Sequence, residues 1–315
     1  MESLVKSQNK ENKRKIKYSK ISIGLPIYNA EKLIRQKIEN LLEQTFIDFE
    51  LIISDNASTD DTVKICKEFM KKDSRIKLHI QDHNIGQFRN YNFVLDQSYG
   101  EYFTWTAADD LLLPEFLEKN LHILETKKNV VTSVSRLRMF GNFTDTLKKN
   151  ENNSLLKKIK IKILNRSAYM DCFPVSGKYE DKVTDFLKNC RHSQVFYGLH
   201  RCEYIKKCIV FESFIGFDTF YALSLLRYGD IHVIDDILME VSDGGDSRKK
   251  GMIGISKMIN EGIYRYFFPW LPITTYSRKN IGTKLFLKNI NFFIKLNISG
   301  LFSFCIDVLR KLRTL

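Results

Sequence analysis

The sequence is poor in residues that punctuate, staple or stretch a chain. Five prolines in 315 residues exclude a Pro-rich extended or collagen-like structure. With 43% hydrophobic residues, 23 Phe and 14 Tyr, general disorder is excluded as well. The six cysteines (Cys66, Cys172, Cys190, Cys202, Cys208, Cys305) contain no CxxC pair, so reduced thiols and a cytoplasmic setting are expected. The amino-terminal MESLVKSQNKENKRKIKYSK lacks the apolar core of a secretory signal. Near the carboxyl end the longest uncharged runs, Tyr266–Ser277 and Leu296–Ile306, fall short of the roughly 20 residues a spanning helix needs. A membrane-spanning protein is therefore not expected, whereas contact with a membrane surface is allowed. Neither GxGxxG nor a P-loop sequence occurs, which removes the main support for a dinucleotide fold or a P-loop NTPase.

Positive charge is abundant but confined to the ends. The chain carries +13 overall; residues 1–20 hold seven basic and two acidic side chains, residues 248–315 thirteen and two, which leaves −3 for residues 21–247. A protein that grips nucleic acid would carry the cations on its body, so nucleic acid is not an expected partner and the ends read as surface-attachment devices. The length admits one large domain or two small ones.

From Lys20 the hydrophobic pattern becomes regular. KISIGLP reads as a buried strand, and Leu33, Ile34, Ile38, Leu41 and Leu42 share one face of a following helix. FELIIS, RIKLHI and EYFTWT repeat the strand pattern. Each is followed by a polar loop and a helix, running to Met70, through Leu95 and, with Pro114 at its start, beyond residue 114. Four such alternations predict a doubly wound, mainly parallel α/β sheet flanked by helices, whose ligand crevice lies beyond the carboxyl ends of the strands. Further on, VVTSVSRLRMF, Gln194–His200 and IHVIDDILMEV read as strands, the last as one or two short ones, and FDTFYALSLLRYG as a helix ending at Gly229. Residues 142–166 read as a Lys-rich insertion, and Ser242–Gly251 as a flexible loop.

PIYN, FELIISDNASTDDT, NIGQFRNYN and GEYFTWTAADDLLLPEFLEK follow one another in this order and spacing. The series resembles the family 2 glycosyltransferases of the GT-A fold, closely over residues 20–126 and more loosely to 247. The resemblance implies a catalytic domain over 20–247, with a nucleotide-binding half (20–126) and an acceptor half (127–247). A basic tail (1–19) would precede it and a basic amphipathic helical extension (248–315) follow it. It implies an inverting transfer of sugar from a nucleotide-diphosphate sugar to a hydroxyl of a saccharide or lipid-linked saccharide, assisted by Mg²⁺ or Mn²⁺.

Residue by residue, Pro26 and Tyr28 match the segment lining the nucleotide pocket, and Asp55, with Asn56 beside it, the acidic residue that recognises the base. Arg89 lies in a nucleotide-binding segment, with a helix-surface salt bridge as its alternative. Asp109 and Asp110 match the metal-binding DxD-type motif, with Ala108 at its first position, Asp110 as the main ligand and Asp109 nearer the ribose or sugar. Asp218, in Gly216-Phe217-Asp218-Thr219, matches the general base, although Phe217 replaces the usual acidic neighbour and Asp218 could instead cap a helix. Glu240-Val241-Ser242 stands where the family often has Arg-x-His; Asp243, Arg248 or Lys249 could contact diphosphate, or the segment is a solvent loop. His192 and His200 read as structural. A catalytically silent scaffold, and less readily a nucleic-acid-binding protein, are the alternatives of other classes.

Residues 278–313 alternate Lys284, Lys288 and Lys295 with Leu285, Phe286, Phe292 and Phe293. Such helices either lie in a membrane interface, at the cytoplasmic face, or pack on the catalytic domain or in a homo-oligomer.

Overall fold

The computed structural model describes residues 18–141, 172–189, 194–210, 212–242, 254 and 268–312. The tail to residue 17, the Lys-rich stretch 142–166, Cys190, His192, Asp243, Arg248 and Lys249 lie outside these residues.

The first four strands are β1 (Ile21–Ile27), β2 (Phe49–Asp55), β3 (Ile76–Ile80) and β4 (Tyr102–Trp105). β1 and β2 are apolar almost throughout because helices cover both of their faces. Helices α1 (Ile34–Leu42), α2 (Thr62–Met70) and, later, α4 (Phe116–Thr126) contribute Ile34, Ile38, Phe69, Leu117 and Leu121 to the core on one face. On the other face α3 (Gln87–Asp96) places Phe88, Tyr91, Val94 and Leu95 against Ile52, Phe103 and Trp105. The close approach of α3 requires Gly24 in β1, since a Cβ there would lie 2.6 Å from Val94 Cγ2.

The remaining strands are β5 (Leu111–Leu112), β6 (Val130–Phe140), β7 (Leu199–Arg201) and β8 (Asp230–Ser242). They complete an eight-stranded sheet in the order β3-β2-β1-β4-β7-β6-β8-β5. β1 pairs in parallel with β2 on one side and β4 on the other, so the strand order reverses at β1 and a crevice opens at its carboxyl end. β7 is antiparallel to both β4 and β6, and β5 to β8; β6 and β8 are parallel. The expected mainly parallel sheet is present with antiparallel joints.

Three local expectations fail. Gln194–Tyr197 is a 3-10 turn and only Leu199–Arg201 is strand. At the junction, Gly198 lies so close to β6 that an added Cβ would be 2.8 Å from Ser133 O. IHVIDDILMEV belongs to one 13-residue strand, which follows β6 by absorbing register shifts around Ser135–Leu137. Helix α4 begins at Phe116 rather than Pro114 because residues 111–112 first form β5.

Helices α5 (Tyr179–Asn189), α6 (Cys202–Ile205) and α7 (Phe217–Leu225) cover the second half of the sheet, and α7 stops short of Gly229. The carboxyl-terminal helices are α8 (Leu271–Ile281), α9 (Thr283–Lys288) and α10 (Ile290–Leu312). Their inner residues Ile281, Leu285, Phe286 and Phe293 join a core with Val183, Leu223 and Ile231. Ile273 packs with Phe214 and Phe220. Trp270 lies at this seam, where Gly216 (φ +86°) would place a Cβ 2.8 Å from its ring and a Cβ on Gly300 would also meet it. Helix α10 contains a 20-residue window, Ile290–Leu309, long and apolar enough to cross a membrane by length and composition, with 11% of it buried. Counting uncharged runs missed this window, because Lys295 and Asp307 interrupt the run without making the helix polar.

Candidate active site

The loops leaving β1 and β2 are tied to each other rather than to solvent. Asn29 N–H donates to Ser58 Oγ (2.8 Å), Thr59 N–H returns to Asn29 Oδ1 (2.9 Å), and Ala30 N–H donates to Thr62 Oγ1 (2.7 Å). Asn29 and Ala57 adopt left-handed backbone conformations (φ 48° and 61°), a strain that this network holds in place. Pro26 and Tyr28 flank the crevice, with Tyr28 49% exposed.

Asp55 ends β2 at the carboxyl edge of the sheet. It is fully buried; Oδ2 accepts from Ser58 N–H (2.9 Å), while Oδ1 has no hydrogen-bond partner among the described residues. A buried carboxylate oxygen left without a donor is costly unless a ligand supplies one. Thr106 Oγ1, at the end of β4, is likewise buried and unpartnered. The Asn56 amide is engaged at both ends, donating to Asn84 Oδ1 (2.9 Å) and accepting from Ile85 N–H (2.8 Å), so it fixes the loop before α3. Arg89 is exposed on α3 and makes no ion pair among the described residues.

Asp109 and Asp110 follow β4 in a turn. Asp109 is half-buried; Asp110 is buried, and its Oδ1 accepts from Ser242 N–H at the end of β8 (3.2 Å). The segment behind them is pinned by α1 and the residues just past its end. Lys37 Nζ donates to Asp110 O (2.7 Å), Asn40 Nδ2 to Leu112 O (2.8 Å), and Gln44 Nε2 to Leu113 O (2.9 Å). Lys37 and Asn40 share one face of α1, and Gln44 lies two residues past its end. Among the described residues no third carboxylate, histidine or cysteine completes a metal cluster with the pair. The residues still fit a hard divalent ion, since Mg²⁺ or Mn²⁺ needs only one or two protein carboxylates when phosphate oxygens and water fill the other positions.

Asp218 stands in the first turn of α7 and accepts from Thr219 N–H (2.7 Å). Although 108 residues separate it from Asp110, the charges of both carboxylates reach the partly buried Tyr197. Burial, together with Tyr91, Asp110 and Asp218, pushes the Tyr197 phenol well above its ordinary pKa. Burial and Asp110 do the same to Tyr91, whose side chain shares hydrogen bonds with Tyr197 and Gln87. The two phenols therefore stay protonated. Beneath them Trp105 stacks on Phe196 (4.2 Å between centroids), an aromatic floor in which such a pair adds about 0.5–1.5 kcal/mol beyond burial. His200 is fully buried, bonded to Thr132 Oγ1 and Phe196 O (3.0 Å each), and burial lowers its pKa to about 4. It is a structural residue.

Sequence reasoning missed Lys37, Tyr91, Tyr197 and Thr106. For Lys37 a signal existed: a lysine among Ile34, Ile38 and Leu41 on the apolar face of α1. The tyrosines carried none, because they meet only through the fold.

The family described as "Glycosyl transferase family 2" matches residues 22–179, just over half of the chain. The chain belongs to this family. It is similar over 112 residues, at 36% identity, to an uncharacterized glycosyltransferase of Haemophilus influenzae. That alignment covers 36% of this chain and 45% of the relative. A second relative is the Campylobacter jejuni GalNAc(5)-diNAcBac-PP-undecaprenol beta-1,3-glucosyltransferase, 38% identical over 95 residues, 30% of this chain and 31% of that protein. The chain thus matches less than half the length of these curated relatives.

Among solved structures, Staphylococcus aureus TarS in complex with UDP-GlcNAc superposes with a TM-score of 0.57 at 15% identity, covering 82% of this chain and 65% of that one. The Pyrobaculum calidifontis mannosyltransferase PcManGT with GDP-Man and Mn²⁺ gives 0.52 at 13%, covering 93% and 88%. At such identities these likenesses speak for the shared GT-A fold.

Proposed function

We propose that this glycosyltransferase inverts the anomeric centre of a nucleotide-diphosphate sugar, with Asp218 as general base and a metal-assisted donor site at Asp109 and Asp110. The observation that carries the proposal is the buried Asp55 Oδ1 that lacks a donor at the end of β2, on the same sheet edge as the Asp109–Asp110 turn that follows β4. Asp55 suits a base that offers an imide or amide N–H, as uracil and guanine do and cytosine does not. Arg89 is an available cation for the diphosphate. Asp109 and Asp110 would hold the divalent ion, which stabilises the leaving diphosphate. Asp218 takes the proton of an acceptor hydroxyl as its oxygen bonds to the anomeric carbon and the bond to the diphosphate breaks. TarS in complex with UDP-GlcNAc and PcManGT with GDP-Man and Mn²⁺ support the donor chemistry by analogy. The undecaprenol-linked substrate in the Campylobacter relative's name supports a saccharide or lipid-linked acceptor. A thermal-shift screen of UDP, GDP and CDP with and without Mn²⁺ tests the reading: UDP or GDP should stabilise the protein and CDP should not. No shift with any of them would overturn it.

The second element of the proposal is peripheral contact of α9 and α10 with an anionic membrane surface, at the cytoplasmic face. Leu287, Ile294, Ile298, Leu301, Phe302 and Leu309 point outward along this surface, beside the exposed Lys284, Lys288 and Lys295. Apolar side chains flanked by lysines suit a bilayer interface. Flotation with phosphatidylglycerol vesicles should recover the protein, and F302D with I298D should abolish recovery. Equal flotation of both proteins would sink the idea.

A further inference from the structure

Lys37 is 1% exposed, yet it makes no ion pair among the described residues; its Nζ donates to the main-chain oxygen of Asp110. Asn40 on the same helical face and Gln44 just past the helix end pin the adjoining backbone with neutral amides. A neutral donor would satisfy a carbonyl at lower burial cost than an ammonium, so the charge of Lys37 calls for a reason that the backbone does not supply.

We propose that Lys37 is a positioning residue for the donor site, a fixed internal cation that offsets Asp109 and Asp110 so that the turn holds diphosphate rather than a bare metal ion. This rests on the assignment of Asp109 and Asp110 to the donor site. Two carboxylates alone present a charge of −2, which attracts a dication and repels an incoming diphosphate. With Lys37 beneath them the local charge is −1, so the site holds free metal less tightly and tolerates the anion better. Because Lys37 is out of water, its charge acts through a low effective dielectric and is poorly screened by salt. The hydrogen bond to Asp110 O adds a geometric part, keeping the turn in register with the ends of β1 and β4.

The two parts separate experimentally because they have different signs. K37M keeps the apolar stem and removes both charge and donor. K37Q removes the charge and keeps an amide donor, and it carries the test if K37M does not melt cooperatively. Mn²⁺ binding to the full chain is read from the free-ion electron paramagnetic resonance signal, and binding of UDP and GDP in EDTA is read by calorimetry. In both variants the Mn²⁺ dissociation constant should fall about tenfold, while the metal-free dissociation constant for the bound nucleotide should rise about tenfold. Affinities that fall together, or that stay within twofold of wild type, would overturn the charge role and leave Lys37 a backbone anchor. Wild-type protein that binds neither Mn²⁺ nor nucleotide would overturn the donor-site assignment itself, and this inference with it.

Discussion

The two halves of the sheet hold their shape by different means. Around β1, β2 and β3 the loops are fixed by short polar bonds: Asn29 with Ser58 and Thr59, Asn56 with Asn84 and Ile85, and Lys37, Asn40 and Gln44 with the segment after Asp110. Around β6, β7 and β8 aromatic packing joins ion pairs such as Arg136–Asp235 and Lys182–Asp230. Trp105 lies on Phe196, Phe214 on Tyr276, and Trp270 at the seam with α8, beside a β6–β8 pair that slips register. Hydrogen bonds specify position and direction, whereas stacked rings tolerate sliding. On the proposed function the polar half grips a donor of fixed shape, and the aromatic half carries the base toward acceptors that vary.

The sharpest test of this contrast is Asp218→Asn, which should lower kcat about 10²–10⁴-fold while nucleotide affinity stays within about twofold. Steady-state transfer and calorimetry read the two quantities, and retention of more than a tenth of kcat would remove Asp218 as the base. The aromatic half should also be the more sensitive to acid. His200 is neutral when folded because its pKa falls from 6.5 to about 4, so only the unfolded chain gains a proton between those values. Stability from this residue is therefore complete above about pH 6.5 and declines toward pH 4, by about 3 kcal/mol. Melting curves across that range should lose part of their pH dependence in H200Q. The smallest effect belongs to the polar half: Asp55→Asn keeps an acceptor for Ser58 and replaces the unpartnered oxygen. UDP or GDP should then bind roughly 10–100-fold more weakly with little change in melting temperature. Unchanged affinity would take Asp55 out of base recognition.

The polar half was also the more legible. Its strands are continuous apolar runs, its helices show a clean 3.6-residue period, and its loops carry Asp55, Asp109 and Asp110 in plain view. The second half was harder because its cues are non-local. Gln194–Tyr197 resembles a strand by composition, but the close approach of Gly198 to Ser133 permits only three strand residues after it. The inward half of α10 is readable as apolar residues but not as a docked face. Phe286 and Phe293 reach their partners Val183 and Leu223 only after α5 and α7 are in place. For the same reason, deleting residues 278–315 would remove core side chains along with the outward face, so point substitutions on that face are the cleaner probe.

Trp270 gives positions 216 and 300 a single tolerance. One glycine begins the helix that bears Asp218, the other sits midway along α10, and neither can accept a methyl group without displacing the same indole. Rotation or tilt of α10 is thereby measured against a wall two residues from Asp218. The alignment of the outward helix and that of the carboxylate are set by one joint rather than two.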